Sequence, residues 1–217
     1  MPPVLLPLVA GLVGAALGPW LARSTVRLAT RDGTATAGRV RAALTTAVGA
    51  GVLAGAAVLV GPRPVLLGVL WLCAAGLVLA GVDLVSHRLP DVVTLPALGA
   101  LLLATGVDAV VTGDGRRALD GVLLGAAAFV VAALVRWAVP AALGFGDVKL
   151  LAPLGVLLGW RGGGSLVLAG VFVGLLLGAS VSLVLLATGR AGWRSAVPFG
   201  PPLLVGAAVA FAAVGPL

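Results

Sequence analysis

The chain has 217 residues, of which 61% are hydrophobic and 10% charged, with a mean hydropathy of +1.22. A soluble protein of this length cannot hide that much apolar surface, and the apolar runs are continuous rather than alternating, which argues against a β-barrel. The net charge of +7 comes from 13 arginines and one lysine, placed mainly between the apolar runs. It therefore reads as membrane topology and not as nucleic-acid binding.

Eight apolar segments follow in chain order, at about 3–22, 42–62, 64–82, 91–112, 118–138, 148–160, 165–187 and 199–216. A membrane-crossing helix needs about 20 mostly apolar residues. The expectation is an all-α, polytopic membrane protein with about eight transmembrane helices, forming one membrane-embedded domain over residues 1–217. The first segment has no basic region before it and reads as a retained helix, not a cleaved signal. Residues 23–41 carry five arginines and no long apolar run. They are too few and too polar for a core of their own, and read as a basic loop or surface helix against anionic lipid headgroups.

Cys73, inside the third segment, is the only cysteine, so neither an intrachain disulfide nor a cysteine zinc site can form. Asp83 ends that segment. His87, the only histidine, follows in a short polar loop and reads as a solvated residue. Pro90 and Asp91 then open the fourth segment as ordinary helix-start signals. Between the fifth and sixth segments lies Gly144-Phe145-Gly146-Asp147-Val148-Lys149. The sixth segment is short: 13 residues make about 20 Å of helix against a hydrocarbon core of about 30 Å. It contains Pro153, and either continues into Arg161-Gly162-Gly163-Gly164 or is partly re-entrant. Pro198-Phe199-Gly200-Pro201 opens the last segment. Trp20, Trp137, Trp160 and Trp193 fall near segment ends, as interfacial anchors do.

With the N-terminus outside, ten basic residues fall on the inner side and four on the outer, which favours that orientation. Alternation then brings Asp83, Asp91 and Asp147 to the cytoplasmic face, and Asp108, Asp114 and Asp120 to the other. An ionisable residue at a membrane edge is a functional-site hypothesis by default. Two carboxylates there can share one proton, because close like charges do not both ionise easily. The ionised partner takes a proton from water while the protonated one polarises a scissile carbonyl. Asp147 precedes an apolar segment and Asp83 follows one. The helix dipole then suggests Asp147 as base and Asp83 as acid. Gly144 and Gly146 leave bare backbone where an extended peptide could approach, or simply break the chain before the next helix. Lys149 reads equally as a partner for the ionised pair and as a headgroup anchor. Asp83, His87 and Asp147 are a conceivable metal-coordinating set, and no other cofactor is suggested.

Asp83 followed by Pro90-Asp91, then Gly144-Phe145-Gly146-Asp147-Val148-Lys149, then Pro198-Phe199-Gly200-Pro201, resembles the prepilin peptidases. These are membrane aspartic proteases that remove the leader of type IV prepilins and pseudopilins at the cytoplasmic face. The resemblance implies that Asp83, seven residues before a Pro-Asp pair, and Asp147 are the catalytic pair. It places Pro90, Asp91, Gly144, Gly146, Lys149, Pro198, Phe199, Gly200 and Pro201 near the site. It also implies a multi-pass protein of the cytoplasmic membrane whose partners are a prepilin substrate and lipid, with no nucleic acid, and it argues against a metal on Asp83, His87 and Asp147. Many bacterial members carry two zinc-binding Cys-X-X-Cys pairs after the first helix, a region that accompanies methylation of the new pilin N-terminus. Residues 23–41 stand in that place without a cysteine, which argues against methylation. Two alternatives stay open. One is another Gly-X-Gly-Asp intramembrane protease, although those carry a Pro-Ala-Leu run near the C-terminus. The other is a small proton-coupled transporter, although such proteins set their carboxylates near the midplane, often with inverted repeats.

Overall fold

The computed structural model describes residues 4–140, 143–190 and 197–217, and among these every regular element is a helix. In chain order they are α1 (Leu5–Thr30), α2 (Arg39–Val60), α3 (Val65–Ser86), α4 (Asp91–Thr112), α5 (Gly115–Ala138), α6 (Phe145–Ala187) and α7 (Gly200–Ala213). The first six are long and apolar enough to cross a membrane, and α7 is a shorter apolar helix of 14 residues. The two segments expected at 148–160 and 165–187 are the two halves of α6. Its 43 residues are broken at Gly162 and Gly163, where the backbone leaves helical geometry. Gly163 has φ +72°, a left-handed conformation that glycine adopts without strain. The halves then lie side by side, since a side chain at Gly170 would run into Leu158. The eight apolar segments are thus all helical, in seven elements.

Two boundaries differ from expectation in ways that matter. α1 runs on through Arg23 and Arg27 to Thr30, because the sequence offers no breaker before Gly33. The polar connection shrinks to residues 31–38. There Asp32 accepts from the Thr34 amide at 2.8 Å and its hydroxyl at 2.6 Å, which holds the exposed Asp32 carboxyl below its ordinary pKa. α3 runs past residue 82 to Ser86, which puts Asp83 inside its last turn.

Small residues let the helices approach, as is common where lipid supplies no hydrophobic drive between them. Gly121 and Gly125 on α5 face Gly155 and Gly159 on α6, where any side chain would meet neighbouring atoms at 3.0 Å or less. Gly170, Gly174 and Gly178, spaced by four on the second half of α6, form the seat of α7. Trp160, Leu150, Leu158 and Val148 are buried in the core that results.

The end of the bundle remote from α3's last turn is tied by ions. Arg63 donates to Asp108 through Nε at 3.1 Å and Nη2 at 2.5 Å. Asp108 is 1% exposed, and its hydrogen bonds hold the Arg63 pKa above the ordinary guanidinium value. The Arg63 guanidinium lies 5.3 Å from the centre of the Trp160 ring. Asp114 caps α5 by accepting from the Arg117 amide at 3.3 Å, and pairs with the Arg117 side chain at 2.9 Å. Trp160 is 1% exposed, so it is a core residue and not the interfacial anchor expected. Trp193 and Arg194 lie outside the described residues.

Candidate active site

Four helix ends meet at the other pole: the last turn of α3 and the first turns of α4, α6 and α7. α3 stops at His87, whose backbone takes a left-handed turn (φ 52°) and whose amide donates to the Asp83 carbonyl at 2.9 Å. Residues 88–90 then cross to α4. Pro90 is the N-cap of α4, in extended backbone, and Asp91 is its first residue. Gly144 is the N-cap of α6, so Asp147 occupies the third position of the first turn. There its Oδ2 reaches back to accept from the Gly144 amide at 3.2 Å, the acidic half of a capping box. A side chain at Gly144 would press on that oxygen at 2.8 Å.

Asp83 is held by a partner far away in sequence. Its Oδ2 accepts from the Gly200 amide at 2.8 Å, across 117 residues. The local sequence makes this amide special. Gly200 is the first residue of α7, and Pro201 and Pro202 after it have no N–H to offer. The next donor, the Leu203 amide, turns back to the Phe199 carbonyl at 3.2 Å. The Gly200 amide therefore points outward from that turn, at Asp83, with the Phe199 backbone beside the same carboxyl. Pro198 and Phe199 precede the helix, and the Phe199 ring packs where Gly178 leaves room on α6.

Both carboxylates are buried, Asp83 at 4% and Asp147 at 8% exposure, and the charge of one acts on the other. Each is gripped through one oxygen by a backbone amide at a helix N-terminus, where negative charge is favoured. This revises the expected contrast between the two. Asp83 does sit near the C-terminal end of α3, but the start of α7 gives it the same kind of electropositive support that α6 gives Asp147. Helix dipoles alone do not separate an acid from a base here.

Two contacts at this pole escaped the sequence. Leu89, 8% exposed, is wedged between the two glycine motifs. A side chain at Gly146 would meet its Cβ at 2.9 Å, and one at Gly200 its Cδ2 at 3.2 Å. A leucine set among the polar residues of a loop between helices was the available signal. Lys149 donates to both oxygens of Asp91 at 2.7 Å, tying the first turn of α6 to that of α4. It also stands 4.5 Å from the Phe145 ring, whose surroundings include the Arg136 guanidinium at 5.7 Å. Arg136 in turn donates to the Leu143 carbonyl at 2.7 Å, so the end of α5 holds the run that delivers Asp147. An apolar groove of about 740 Å³ lies apart from the pair, between α1, α3 and α4. No motif residue lines it, and Arg27 and Ser24 contribute polar side chains to its wall. No cluster of three or more His, Cys, Asp or Glu side chains suited to a metal occurs among the described residues.

Residues 66–179, which include both aspartates, match the type IV leader peptidase family. The chain belongs to that family. Pro198-Phe199-Gly200-Pro201 lies beyond the matched stretch, so its place beside Asp83 is an observation of the structure. Among curated relatives, the prepilin leader peptidase/N-methyltransferase of Burkholderia pseudomallei is 35% identical over 162 residues, covering 71% of this chain and 49% of the relative. The protein of the same description from Dickeya chrysanthemi is 35% identical over 154 residues, covering 68% and 51%. That from Pectobacterium carotovorum is 33% identical over 150 residues, covering 67% and 50%. The chain spans about half the length of the curated relatives it matches. No solved structure matches it. The leader peptidase fold in this chain is all-helical and multi-pass, as its composition predicts.

Proposed function

We propose that this leader peptidase homologue is an aspartic endopeptidase that removes the leader of type IV prepilin-like proteins, with Asp83 and Asp147 as its catalytic pair. The observation that carries the reading is the convergence of two buried carboxylates from sequence-remote helices at one pole of the bundle. Each keeps one oxygen on a backbone amide. Fixing each carboxylate on a backbone amide orients the pair, and orientation of this kind supplies much of a hydrolase's rate.

The pair shares one proton and acts as a unit. The ionised member takes a proton from water as its oxygen bonds to the scissile carbonyl carbon. The protonated member gives its proton to the carbonyl oxygen. When the tetrahedral adduct collapses, the C–N bond breaks, the nitrogen takes a proton from the protonated member, and a hydroxyl of the adduct gives its proton to the ionised one. The products are the leader's carboxylate and the new amino terminus, and the pair is restored.

The active pole faces the cytoplasm in this proposal. Arg23, Arg27, Arg31, Arg39, Arg41, Arg88, Arg136, Lys149 and Arg190 lie towards it, against Arg63, Arg116, Arg117 and Arg161 at the other end. That is the asymmetry expected of an inward-facing side. The whole chain is one peptidase domain in the inner membrane, needing no cofactor. Residues 23–41 replace a zinc-binding region, so the new N-terminus is left unmethylated. The deciding experiment is co-expression with a prepilin, read by intact mass, for wild type, Asp83→Asn and Asp147→Asn. Wild type is expected to release the leader without a methyl added, while both variants reach the membrane and leave the prepilin whole. Cleavage by either variant would sink the two-aspartate mechanism, and a methylated product would sink the monofunctional reading.

A further inference from the structure

The pole opposite the aspartates contains an unbalanced charge that the peptidase reading does not use. Arg161 ends the first half of α6 and is 6% exposed. Its Nη2 donates to the Gly215 carbonyl, and its guanidinium lies 5.0 Å from the centre of the Phe211 ring. A ring beneath a guanidinium attracts its face and leaves the in-plane N–H groups free. Nε and Nη1 of Arg161, and Nη1 of Arg117, are buried without a hydrogen-bond partner among the described residues. Nε carries one N–H and Nη1 two, so Arg161 alone has three unused donors.

Two carboxylates at this pole are already engaged, and none pairs with Arg161 among the described residues. Asp108 accepts from Arg63 twice, and from the Val65 amide at 3.4 Å. Asp114 serves the side chain and amide of Arg117. Asp120 is bonded to neither arginine. The cations, by contrast, converge. Arg63 lies over Trp160, the neighbour of Arg161, and Arg117 sits one turn before Gly121, which packs on Trp160. Leaving a buried guanidinium unpaired is costly, which makes a counter-anion the natural complement. The chain break adds to the attraction. Gly162 and Gly163 end one helical half beside Arg161, and the next half starts at residue 164, presenting an N-terminal end at the same pole.

We propose that this pole is a binding site for a phosphate-type oxyanion, seated on Arg161 with Arg117 at its edge. A planar guanidinium fork pairs two N–H groups with two phosphate oxygens, which suits the unused Nε and Nη1 edge. The phosphate comes either from a lipid headgroup, since helix ends lie at headgroup depth, or from solution. Gly215 and its neighbours, now resting on Arg161, shift to admit it.

The test uses the full chain, purified in detergent and stripped of lipid, with thermal unfolding as the readout. It does not involve cleavage, so its outcome is separate from that of the peptidase proposal. Dioleoylphosphatidylglycerol, dioleoylglycerol and inorganic phosphate are titrated against wild type, Arg161→Gln and Arg117→Gln. Wild type is expected to be stabilised by the phospholipid and not by the diacylglycerol, which has the same tails and no phosphate. Arg161→Gln should need about tenfold more phospholipid for the same shift, the effect of losing charge-assisted hydrogen bonds. Protection by inorganic phosphate as well identifies a soluble source, and protection by the phospholipid alone a lipid one. If Arg161→Gln does not fold, Arg117→Gln decides, with an expected several-fold weakening. Equal responses of the phospholipid and the diacylglycerol together with none to phosphate, or variants that respond as wild type does, would overturn the proposal.

Discussion

Gly200→Ala tests how Asp83 is held, because it adds one methyl group and keeps the amide that does the holding. The new Cβ would stand 3.0 Å from Asp83 Oδ2, 3.2 Å from Leu89 Cδ2 and 3.4 Å from Asp83 Cγ, where ordinary contact begins at 3.4 Å. Either the carboxylate or the start of α7 must therefore give by about 0.4 Å, an overpacking strain of roughly 1 kcal/mol. Leu89 Cδ2 is the end of a flexible side chain and can turn aside, but the tighter contact is with the Asp83 carboxylate, which is tied to the Gly200 amide. The bond from Gly200 to Asp83, 2.8 Å long in the native protein, stretches or bends accordingly. Misplacing a reacting group by about 1 Å costs about a hundredfold in rate, so this smaller shift should cost roughly tenfold. Under the proposed two-aspartate mechanism the loss should fall on kcat, since the methyl group moves one member of the pair and not a substrate contact. Cleavage of a prepilin in reconstituted vesicles, with a thermal melt on the same sample, measures both numbers. Gly51→Ala, where a side chain meets nothing within 4 Å, is the control and should be neutral or slightly stabilising. A folded Gly200→Ala protein with the wild-type kcat would refute the idea that the α7 amide positions Asp83.

Three further outcomes are expected. Asp108→Asn leaves the Arg63 guanidinium without its charge partner; Arg63 keeps 21% side-chain exposure, so the loss should be about 2–3 kcal/mol, less than for a fully buried pair, and visible in a thermal melt. Asp91→Asn breaks the pair to Lys149, but Asp91 is 51% exposed, so unfolding should shift by less than about 1 kcal/mol. A loss above 3 kcal/mol would show that the pair matters more than its exposure allows. Gly206→Ala puts a methyl group against the backbone of Gly170 and Gly174 and prises α7 from its seat, so stability should fall by at least about 1–3 kcal/mol, and cleavage should fall with it. Wild-type behaviour in both assays would contradict the close approach of these helices.

Much of the fold was legible because the bilayer imposes a single rule, long apolar runs, and the chain obeys it. The break in α6 was legible too, in the run Arg161-Gly162-Gly163-Gly164 after a segment too short to cross. What eluded the sequence were relations between distant residues. Asp83 and Asp147 could be assigned to one face by alternation, but not the amide of Gly200 to Asp83, because a proline-rich helix start names its missing donors and not the target of the one that remains. The pairing of Lys149 with Asp91 was hidden for a similar reason: a lone lysine beside an aspartate motif suggests the nearest carboxylate, and the fold supplies another. Glycine was undervalued for a different reason. With 33 in the chain, no single one stands out, although the spacing of four at 170, 174 and 178 marks a face that only contact explains.

The bond between Asp83 and Gly200 also sets a clock. A ribosome reaches Asp83 with 117 residues still to make before its partner amide exists. Through that interval the carboxylate has neither its anchor nor the shelter of α7. The site around Asp83 is therefore incomplete until α7, a helix of 14 residues, lies on the glycines of α6. Under the proposed activity, a peptidase threaded into the membrane it works in stays unassembled at this pole until α7 has been made.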